Sequence, residues 1–247
     1  MVVRTEQLIH EIANIDADII GLQEVMPDFW KELVAYVDYK HHAYKIIQQR
    51  GDGLAILSKY PFTSIFFLND SDEFDNSFAL NVLFEENGMK FSVTNVHLPC
   101  DSVLAREKQI VAINEHACRQ KDQADFFLLL GDFNCSHSSS IHNFLLGEQT
   151  LLGCEANPVW FDLAEVHAAL NDYGIMPTLD FATNPRWGAK NTKYIPVACD
   201  SIYLMDNAVK FDYDISNVSI FGTDVSSETG LAPSDHYGVL SEVTFRQ

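Results

Sequence analysis

The sequence predicts an α+β fold built on mainly antiparallel β-sheets, and three observations support this prediction. Strand-like apolar segments follow one another between residues 41 and 97. Asn87 and Gly88 separate the last two of these segments, and both residues tolerate the positive φ of a tight hairpin turn. Apolar residues at helical spacing occur before and after this region. Strands joined by hairpins, with helices to either side, indicate sheets packed face to face beneath helical layers.

Five helices are expected from the spacing of apolar residues. The first covers residues 4–15, where Leu8, Ile9 and Ile12 share one face, and it leads into the strand IIGLQEV. The remaining four are expected directly after Pro27 and over residues 103–119, 138–146 and 162–170.

Later strands are predicted in four segments, DFFLLLGDFN, CDSIYLMD, KFDYDISNVSI and YGVLSEVTF. Between the helical and strand patterns lies a long segment, residues 171–198, that Gly174, Pro177, Pro185 and Gly188 interrupt. Irregular loops of this length inside a compact domain are usually functional. We therefore expect this loop to contribute to a site.

Composition narrows the class of protein. A chain of 247 residues without a Pro/Gly/Ser-rich linker or an internal repeat is expected to form one domain over residues 1–247. No apolar run approaches the roughly 18 residues that span a membrane, and five scattered cysteines favour reduced thiols, so a soluble cytoplasmic protein is expected. Cys135 lacks a catalytic partner in the sequence and is assigned to packing.

The net charge of −19, from 35 acidic and 16 basic residues, bears on the substrate. Proteins that track a nucleic-acid duplex neutralise several phosphates with Lys and Arg, and this chain has no basic run. The charge favours a small, metal-bound phosphate ester.

Three polar clusters lie at the ends of apolar runs: Gln23-Glu24, Gly131-Asp132-Phe133-Asn134 and Ser234-Asp235-His236. Charged groups beside buried strands are costly unless they are paired, hydrogen-bonded or bound to a metal. One divalent-metal site would explain all three clusters, which predicts a metal-assisted phosphate hydrolase.

Five motifs occur in a fixed order from Gly21 to Val239: GLQEV, NVHL, GDFN, CDSIYL and PSDHYGV. In this respect the chain resembles the endonuclease/exonuclease/phosphatase superfamily. The resemblance implies a four-layer αββα sandwich of two mainly antiparallel sheets, with the site at one end of the sheets.

The resemblance also implies roles for individual residues. Glu24 and Asp235 would bind Mg²⁺, with Mn²⁺ as an alternative, because hard cations prefer oxygen ligands. Asp132 would orient or deprotonate the attacking water, and Asn134 would hold the water or a phosphoryl oxygen. These two residues are two apart on an expected extended segment, so they should face the same side while Phe133 points into the core. The alternative interpretation of the pair is a capped turn.

Three further residues complete the implied site. Asp200 is the expected partner of His236, whose imidazolium form would stabilise charge on phosphoryl oxygens. His97 resembles the family histidine that donates to the phosphate, although a lone histidine at a strand end is more often structural. The other histidines are assigned to the surface or to packing, Arg106 to substrate or to a solvated helix face, and Arg50-Gly51-Asp52 to a turn.

One element of the family pattern is missing. The family opens with a strand that ends in an asparagine of the metal and phosphate site, whereas this sequence starts inside the following helix. A sequence that begins late is the more economical expectation, since loss of an interior strand would expose unpaired backbone groups. If the asparagine is dispensable, Asn81 and Asn95 are the candidates to replace it.

The sequence thus predicts a Mg²⁺-dependent hydrolase that cleaves phosphodiester or phosphomonoester bonds by in-line attack of water. Its substrate could be a nucleic acid, a nucleotide or a phospholipid headgroup, with the tyrosyl-DNA phosphodiesterase-like and sphingomyelinase-like branches favoured over a basic duplex endonuclease. The alternative is a catalytically weak phosphate-binding or regulatory domain of the same fold.

Overall fold

The structure, a computed structural model, describes residues 2–47, 50–69, 77–157, 159–188, 195–207 and 211–246. Its helices are α1 (Val2–Ile15), α2 (Pro27–Tyr36), α3 (Val103–Arg119), α4 (Ser140–Leu145) and α5 (Leu163–Asn171). Three begin after a side-chain cap, in which Ser102, Ser139 and Asp162 each accept a hydrogen bond from a backbone N–H of the first turn. All five helices that the sequence predicts are confirmed.

Eleven strands are present in the described residues. They are β1 (Ile19–Leu22), β2 (His41–Ile46), β3 (Gly53–Ser58), β4 (Phe62–Asn69), β5 (Ser77–Glu86), β6 (Met89–His97), β7 (Phe126–Asp132), β8 (Phe161–Asp162), β9 (Asp200–Asp206), β10 (Asp212–Phe221) and β11 (Gly238–Arg246). The Asn87-Gly88 turn joins β5 to β6, and both its residues have positive φ as predicted. Residue 210 of the predicted strand KFDYDISNVSI lies outside the described residues.

The largest sheet has six strands in the order β4-β5-β6-β7-β9-β8. Its neighbours are antiparallel except β6 and β7, which are parallel. A parallel pair needs a long crossover connection, and α3 provides it. The parallel pairing brings the ends of β6 and β7 to the same edge of the sheet.

A second β layer consists of two separately hydrogen-bonded sheets, β1-β3-β2 and β10-β11. Side chains of both sheets pack with the inner face of the six-stranded sheet in one apolar core. Within that core Phe126 contacts Phe91 and Phe245, with ring centroids 5.6 and 4.5 Å apart. The predicted α+β sandwich is therefore confirmed, with the smaller layer divided in two.

Helices cover the outer faces of both layers. Ile9 of α1 and Leu33 of α2 pack with Leu57 of the three-stranded sheet. On the opposite side, Ile110 of α3 and Phe144 of α4 join a cluster on the outer face of the six-stranded sheet. Among the described residues, β1 pairs only with β3 and β11 only with β10, so each has one edge without a neighbouring strand.

Residues 171–198 are largely irregular, as predicted, and residues 189–194 lie outside the described residues. A short 3₁₀ turn over Pro185–Trp187 and a bridge between Leu179 and Val197 give the segment local order. No helix in the described part of the chain is both long and apolar enough to cross a membrane.

Candidate active site

Three of the predicted site residues lie in one row across the six-stranded sheet. Strand register places His97 of β6 opposite Asp132 of β7, and Asp132 opposite Asp200 of β9. All three stand at the ends of their strands, at one edge of the sheet. The pairing of β6, β7 and β9 therefore places three motifs that are distant in sequence side by side, and this forms the site.

Glycine at position 131 is required by the backbone just before Asp132. Its φ is +129°, and a Cβ at this position would lie 2.1 Å from the carbonyl oxygen of Val96 on the neighbouring strand. A larger residue would separate β7 from β6 at the point where their site residues meet. This requirement accounts for the glycine of the GDFN motif.

Asp132 and Asn134 are held together by a turn. The chain leaves the strand after Asp132, and Asn134 has a left-handed φ of 50°, so the expectation of a continuous extended segment is wrong. The Asn134 N–H donates to Asp132 Oδ1 at 2.7 Å, and its side-chain amide donates to Asp132 Oδ2 at 3.1 Å and to the Leu98 carbonyl at 2.8 Å. Phe133 is buried in the core, as predicted.

Burial and the nearby carboxylate of Asp200 raise the pKa of Asp132 to about 7. His236 and the N–H of Asn134 act in the opposite direction but do not outweigh them. A carboxylate with a pKa near neutrality can exchange a proton efficiently at physiological pH.

His236 and Asp200 form the predicted pair. Nδ1 of His236 lies 2.9 Å from Asp200 Oδ2. Burial alone would lower the pKa of His236, but the hydrogen bond and charge of Asp200 outweigh it and raise this pKa to about 9. The imidazole is consequently protonated at pH 7, with Nε2 available as a donor.

His97 has the opposite electrostatic environment. Burial and the charge of Arg50 lower the pKa of His97 to about 4, so the ring is neutral at pH 7. Nδ1 lies 3.2 Å from Nη2 of Arg50, which can only donate, and this contact assigns the proton to Nε2. Nε2 lies 3.6 Å from Asp132 Oδ2 and 4.0 Å from Glu24 Oε1.

Glu24 follows β1 with a left-handed φ of 55°, and its side chain is 64% exposed. Arg50 lies 3.5 Å from Glu24 Oε1 and 3.2 Å from Asp52 Oδ1. The turn predicted at Arg50-Gly51-Asp52 is confirmed. The sequence did not predict that Arg50 also belongs to the site. The available signal was that a basic residue stands beside a strand end in a strongly acidic chain.

Asp235 is positioned through its backbone. Its carbonyl accepts hydrogen bonds from the Trp187 indole at 2.9 Å and the Asn184 amide at 3.1 Å. The side-chain carboxylate accepts from Ser234 Oγ at 3.4 Å, and it contributes to the raised pKa of His236. Asn184, which is 2% exposed and also donates to the Ser234 carbonyl, is a positioning residue that sequence reasoning missed.

A divalent cation fits this donor set. Ligand atoms of Asp132, Cys199, Asp200 and His236 lie within 4.8 Å of one another, and Glu24 and Asp235 are not part of that group. Burial raises the pKa of Cys199, which keeps its thiol protonated and leaves carboxylate oxygens as the donors. Oxygen donors suit Mg²⁺ or Mn²⁺, and a cation would relieve the charge crowding that raises the pKa of Asp132.

The hydrogen bonds of Arg106 in the described part of the chain lie outside the site. Its guanidinium donates to the carbonyls of Pro99 and Cys100 at 2.8 and 3.0 Å, so it holds the segment that follows His97.

The two asparagines that could replace the missing family asparagine differ in location. Asn95 lies on β6, and its side-chain amide donates to the carbonyls of Leu22 on β1 and Ala55 on β3. The Asn81 amide donates to Ser92 and Thr94.

Comparison with solved structures finds the same fold elsewhere. A functionally unknown conserved protein from Enterococcus faecalis is 22% identical, with a TM-score of 0.72 over 98% of this chain and 91% of that chain. TDP2 from D. rerio, complexed with a single-strand DNA product, is 18% identical with a TM-score of 0.73 over 98% and 92%. Mannosyl-6-phosphatase from Bacteroides thetaiotaomicron is 16% identical with a TM-score of 0.71 over 98% and 91%.

No curated protein sequence matches the chain. The sequence does match the model of a protein family over residues 1–236, a range that includes every site residue described above. The chain belongs to the Endonuclease/Exonuclease/phosphatase family.

Proposed function

We propose that the protein is a Mg²⁺-dependent phosphoesterase that cleaves a P–O bond by in-line attack of water. The observation that carries this proposal is the row of His97, Asp132 and Asp200 across three strands, completed by His236 on Asp200. Together these residues supply a carboxylate base, Asp132, and two imidazole donors, of which His97 is neutral and His236 is protonated.

Asp132 is the proposed general base for the attacking water. Its pKa of about 7 lets it accept a proton near neutral pH, and the two hydrogen bonds from Asn134 fix its carboxylate plane. The Asn134 side-chain nitrogen donates to Asp132 and to the Leu98 carbonyl, so its Oδ1 would accept from the water and hold it beside the base.

The two histidines are proposed to contact the phosphoryl group. His236 is protonated at pH 7 and would donate from Nε2 to a phosphoryl oxygen, with Asp200 holding Nδ1. His97 is neutral and would donate from Nε2, while Arg50 fixes its ring from the other side. Donors aimed at developing charge in a partly buried site lower the barrier strongly.

Glu24 and Asp235 are proposed to hold the metal on the resemblance to the family alone, since they lie outside the group of ligand atoms that the structure brings together. Asp132 and Asp200 belong to that group and would contribute to the negative charge around the metal. A bound Mg²⁺ would polarise the phosphoryl oxygens and offset the negative charge of the carboxylates. Arg50, which now contacts Glu24, is free to contact a substrate phosphate when Glu24 binds a cation.

A cavity of about 390 Å³ adjoins the site and supports a small substrate. Asp200 and His137 contribute to its wall together with residues of α5, the following loop and the β10-β11 sheet, and much of the lining is apolar. It can accept the leaving group of a small ester. The structural neighbours include proteins whose names refer to DNA and to a sugar phosphate, which supports phosphate esters as the substrate class.

The proposal is tested with bis(p-nitrophenyl) phosphate and p-nitrophenyl phosphate as generic diester and monoester substrates. We expect hydrolysis with Mg²⁺ that EDTA abolishes and added Mg²⁺ or Mn²⁺ restores. Hydrolysis that is unchanged in EDTA would contradict metal dependence. Binding of inorganic phosphate without turnover of either ester would instead favour the phosphate-binding domain.

A further inference from the structure

The cavity of about 390 Å³ beside the proposed active site lies between α5, the segment that follows it and strand β10. On α5, Ala164, His167 and Ala168 share one face, because they are three and four residues apart. The two alanines have no side chain beyond Cβ, so this face of the helix leaves space open. The volume falls within the range of about 300–1,000 Å³ that small-ligand sites occupy.

Asp200 is the residue that the cavity shares with the proposed active site. It lines the cavity, and its Oδ2 lies 2.9 Å from Nδ1 of His236. Since His236 is proposed to contact the phosphoryl group, an organic group attached to that phosphate can extend past Asp200 into the cavity. The cavity is therefore continuous with the site.

The walls of the cavity favour an uncharged, apolar occupant. Apolar side chains from three parts of the chain line it: Ile175 and Met176 after α5, Val218 and Ile220 of β10, and Val239 of β11. Among the described lining residues none is Lys or Arg, and Asp200 is the only carboxylate. An anionic group would lose its hydration here without gaining a cation, and a sugar would bury several hydroxyls beside few polar partners.

Some of these lining side chains are also exposed to solvent. Tyr173 is 70% exposed and Met176 is 43% exposed, and both line the cavity. The Tyr173 ring contacts the His167 ring, with centroids 6.4 Å apart and planes 32° apart. Exposed apolar side chains that cluster beside a cavity are typical of a binding site, and an aromatic pair offers a flat surface to an apolar ligand.

Strand β10 departs from regular pairing where it reaches the cavity. Its register with β11 shifts between Ile215 and Asn217, and Asn217 and Ser219 line the cavity directly after this shift. Bulges of this kind commonly redirect side chains beside active sites. Asn217 and Ser219 supply a few polar groups in a largely apolar wall, which suits a ligand that is apolar over most of its surface.

We propose that this cavity selects the substrate by binding the organic group of the phosphate ester, and that it prefers an uncharged, apolar group to a sugar or a nucleotide. The inference rests on the proposed phosphoesterase function, because the bound phosphate places the organic group beside Asp200. Ala168 is then a specificity-determining residue, since a larger side chain at this position would occupy the space that the organic group needs.

Binding of phenethyl alcohol, an apolar alcohol without a phosphate, tests the cavity independently of catalysis. Isothermal titration calorimetry in EDTA should show one site per chain, with a Kd at least about tenfold weaker in Ala168→Phe. Ala169→Phe, at the exposed next residue of the same helix, is the matched control and should bind as the wild-type protein does. Met176→Ser replaces a partly exposed loop side chain, so it should fold, and it should weaken binding about threefold or more. An equal Kd in the wild-type protein, Ala168→Phe and Met176→Ser would overturn the proposal.

Turnover then tests selection between substrates. Phenethyl phosphate and glucose 6-phosphate are both esters of a primary alcohol, so their kcat/KM values compare organic groups of similar reactivity. With Mg²⁺, the wild-type protein and Ala169→Phe should prefer phenethyl phosphate by at least about tenfold, and Ala168→Phe should lose most of this preference. Equal kcat/KM for the two esters in the wild-type protein, or a preference for glucose 6-phosphate, would overturn the proposal. If neither ester is hydrolysed while phenethyl alcohol binds all proteins except Ala168→Phe, the proposed hydrolysis fails and the assignment of an apolar ligand to the cavity stands.

Discussion

At the scale of single residues, Asp132 shows a conflict between stability and function. Asp132 is 7% exposed and its carboxylate lies beside Asp200, and these surroundings raise its pKa because they disfavour the charged form. The folded protein therefore bears an electrostatic cost at the position where the proposed mechanism needs a base. Such costs are typical of catalytic sites and unusual in purely structural ones.

We predict that Asp132→Asn lowers kcat by at least about 100-fold, because the variant cannot accept a proton. The amide has one acceptor oxygen, so it keeps one of the two hydrogen bonds from Asn134. It also removes the buried charge beside Asp200, so thermal stability in EDTA at pH 8 should be equal or higher. Asp122→Asn, at an exposed position, is the control and should change neither quantity. A variant with near wild-type kcat would remove Asp132 from the mechanism.

His236 should make the stability of the metal-free protein depend on pH. Its pKa is about 9 in the folded state against an ordinary value of 6.5, so the folded state binds the proton more tightly than the unfolded state. The resulting stabilisation is complete below pH 6.5 and is lost as pH rises through about 9. Thermal unfolding in EDTA between pH 6 and pH 10 should show a decline that is shallower in His236→Gln. Parallel curves for the two proteins would contradict the Asp200–His236 pairing.

At the scale of secondary-structure elements, Asn95 connects the two β layers beside the site. It lies on β6, is fully buried, and donates to carbonyls of β1 and β3 at Leu22 and Ala55, both at 2.9 Å. Gln23 donates to its Oδ1 at 2.6 Å, immediately before Glu24. The position of Glu24 therefore depends on an asparagine of the opposite sheet.

Replacement of Asn95 by Ala should cost about 1–3 kcal/mol of folding stability, because buried carbonyls and the Gln23 amide lose their partner. The Mg²⁺ concentration for half-maximal activity should also rise, since Glu24 is less well positioned. Chemical denaturation and Mg²⁺ titration measure these two effects, and Asn157→Ala at an exposed position serves as the control. Loss of stability with an unchanged Mg²⁺ requirement would limit Asn95 to a structural role.

The sequence predicted elements better than it predicted how side chains meet. Capping residues and hairpin turns are local, so α3 was predicted with its observed limits and the Asn87-Gly88 hairpin was correct. The turn at Asn134 was only the alternative interpretation of the Asp132-Asn134 pair, because the sequence does not show where β7 ends and where the left-handed φ of Asn134 begins. Arg50 and Asn184 were missed because each contacts residues far away in sequence, His97 and Ser234 respectively.

At the scale of the whole molecule, charge distribution relates the site to its substrate. The chain has a formal net charge of −19, and Arg50 is a basic side chain among the carboxylates of the site. A small ester can be held by a metal, Arg50 and two histidines, whereas a duplex needs several phosphate contacts over a longer surface. The adjoining cavity of about 390 Å³ agrees in size with a compact leaving group.

Salt dependence should separate these two substrate classes. We predict that kcat/KM for a small phosphate ester changes by less than about threefold between 50 and 200 mM monovalent salt, because its contacts lie within a partly buried site that salt screens weakly. An enzyme that binds a duplex through six to ten phosphates would lose about 10³–10⁵ in affinity over the same range. Parallel measurements on bis(p-nitrophenyl) phosphate and plasmid DNA at constant Mg²⁺ test the difference. If plasmid DNA were the better substrate and its cleavage fell steeply with salt, a basic surface would have to exist despite the net charge, and the preference for a small ester would be wrong.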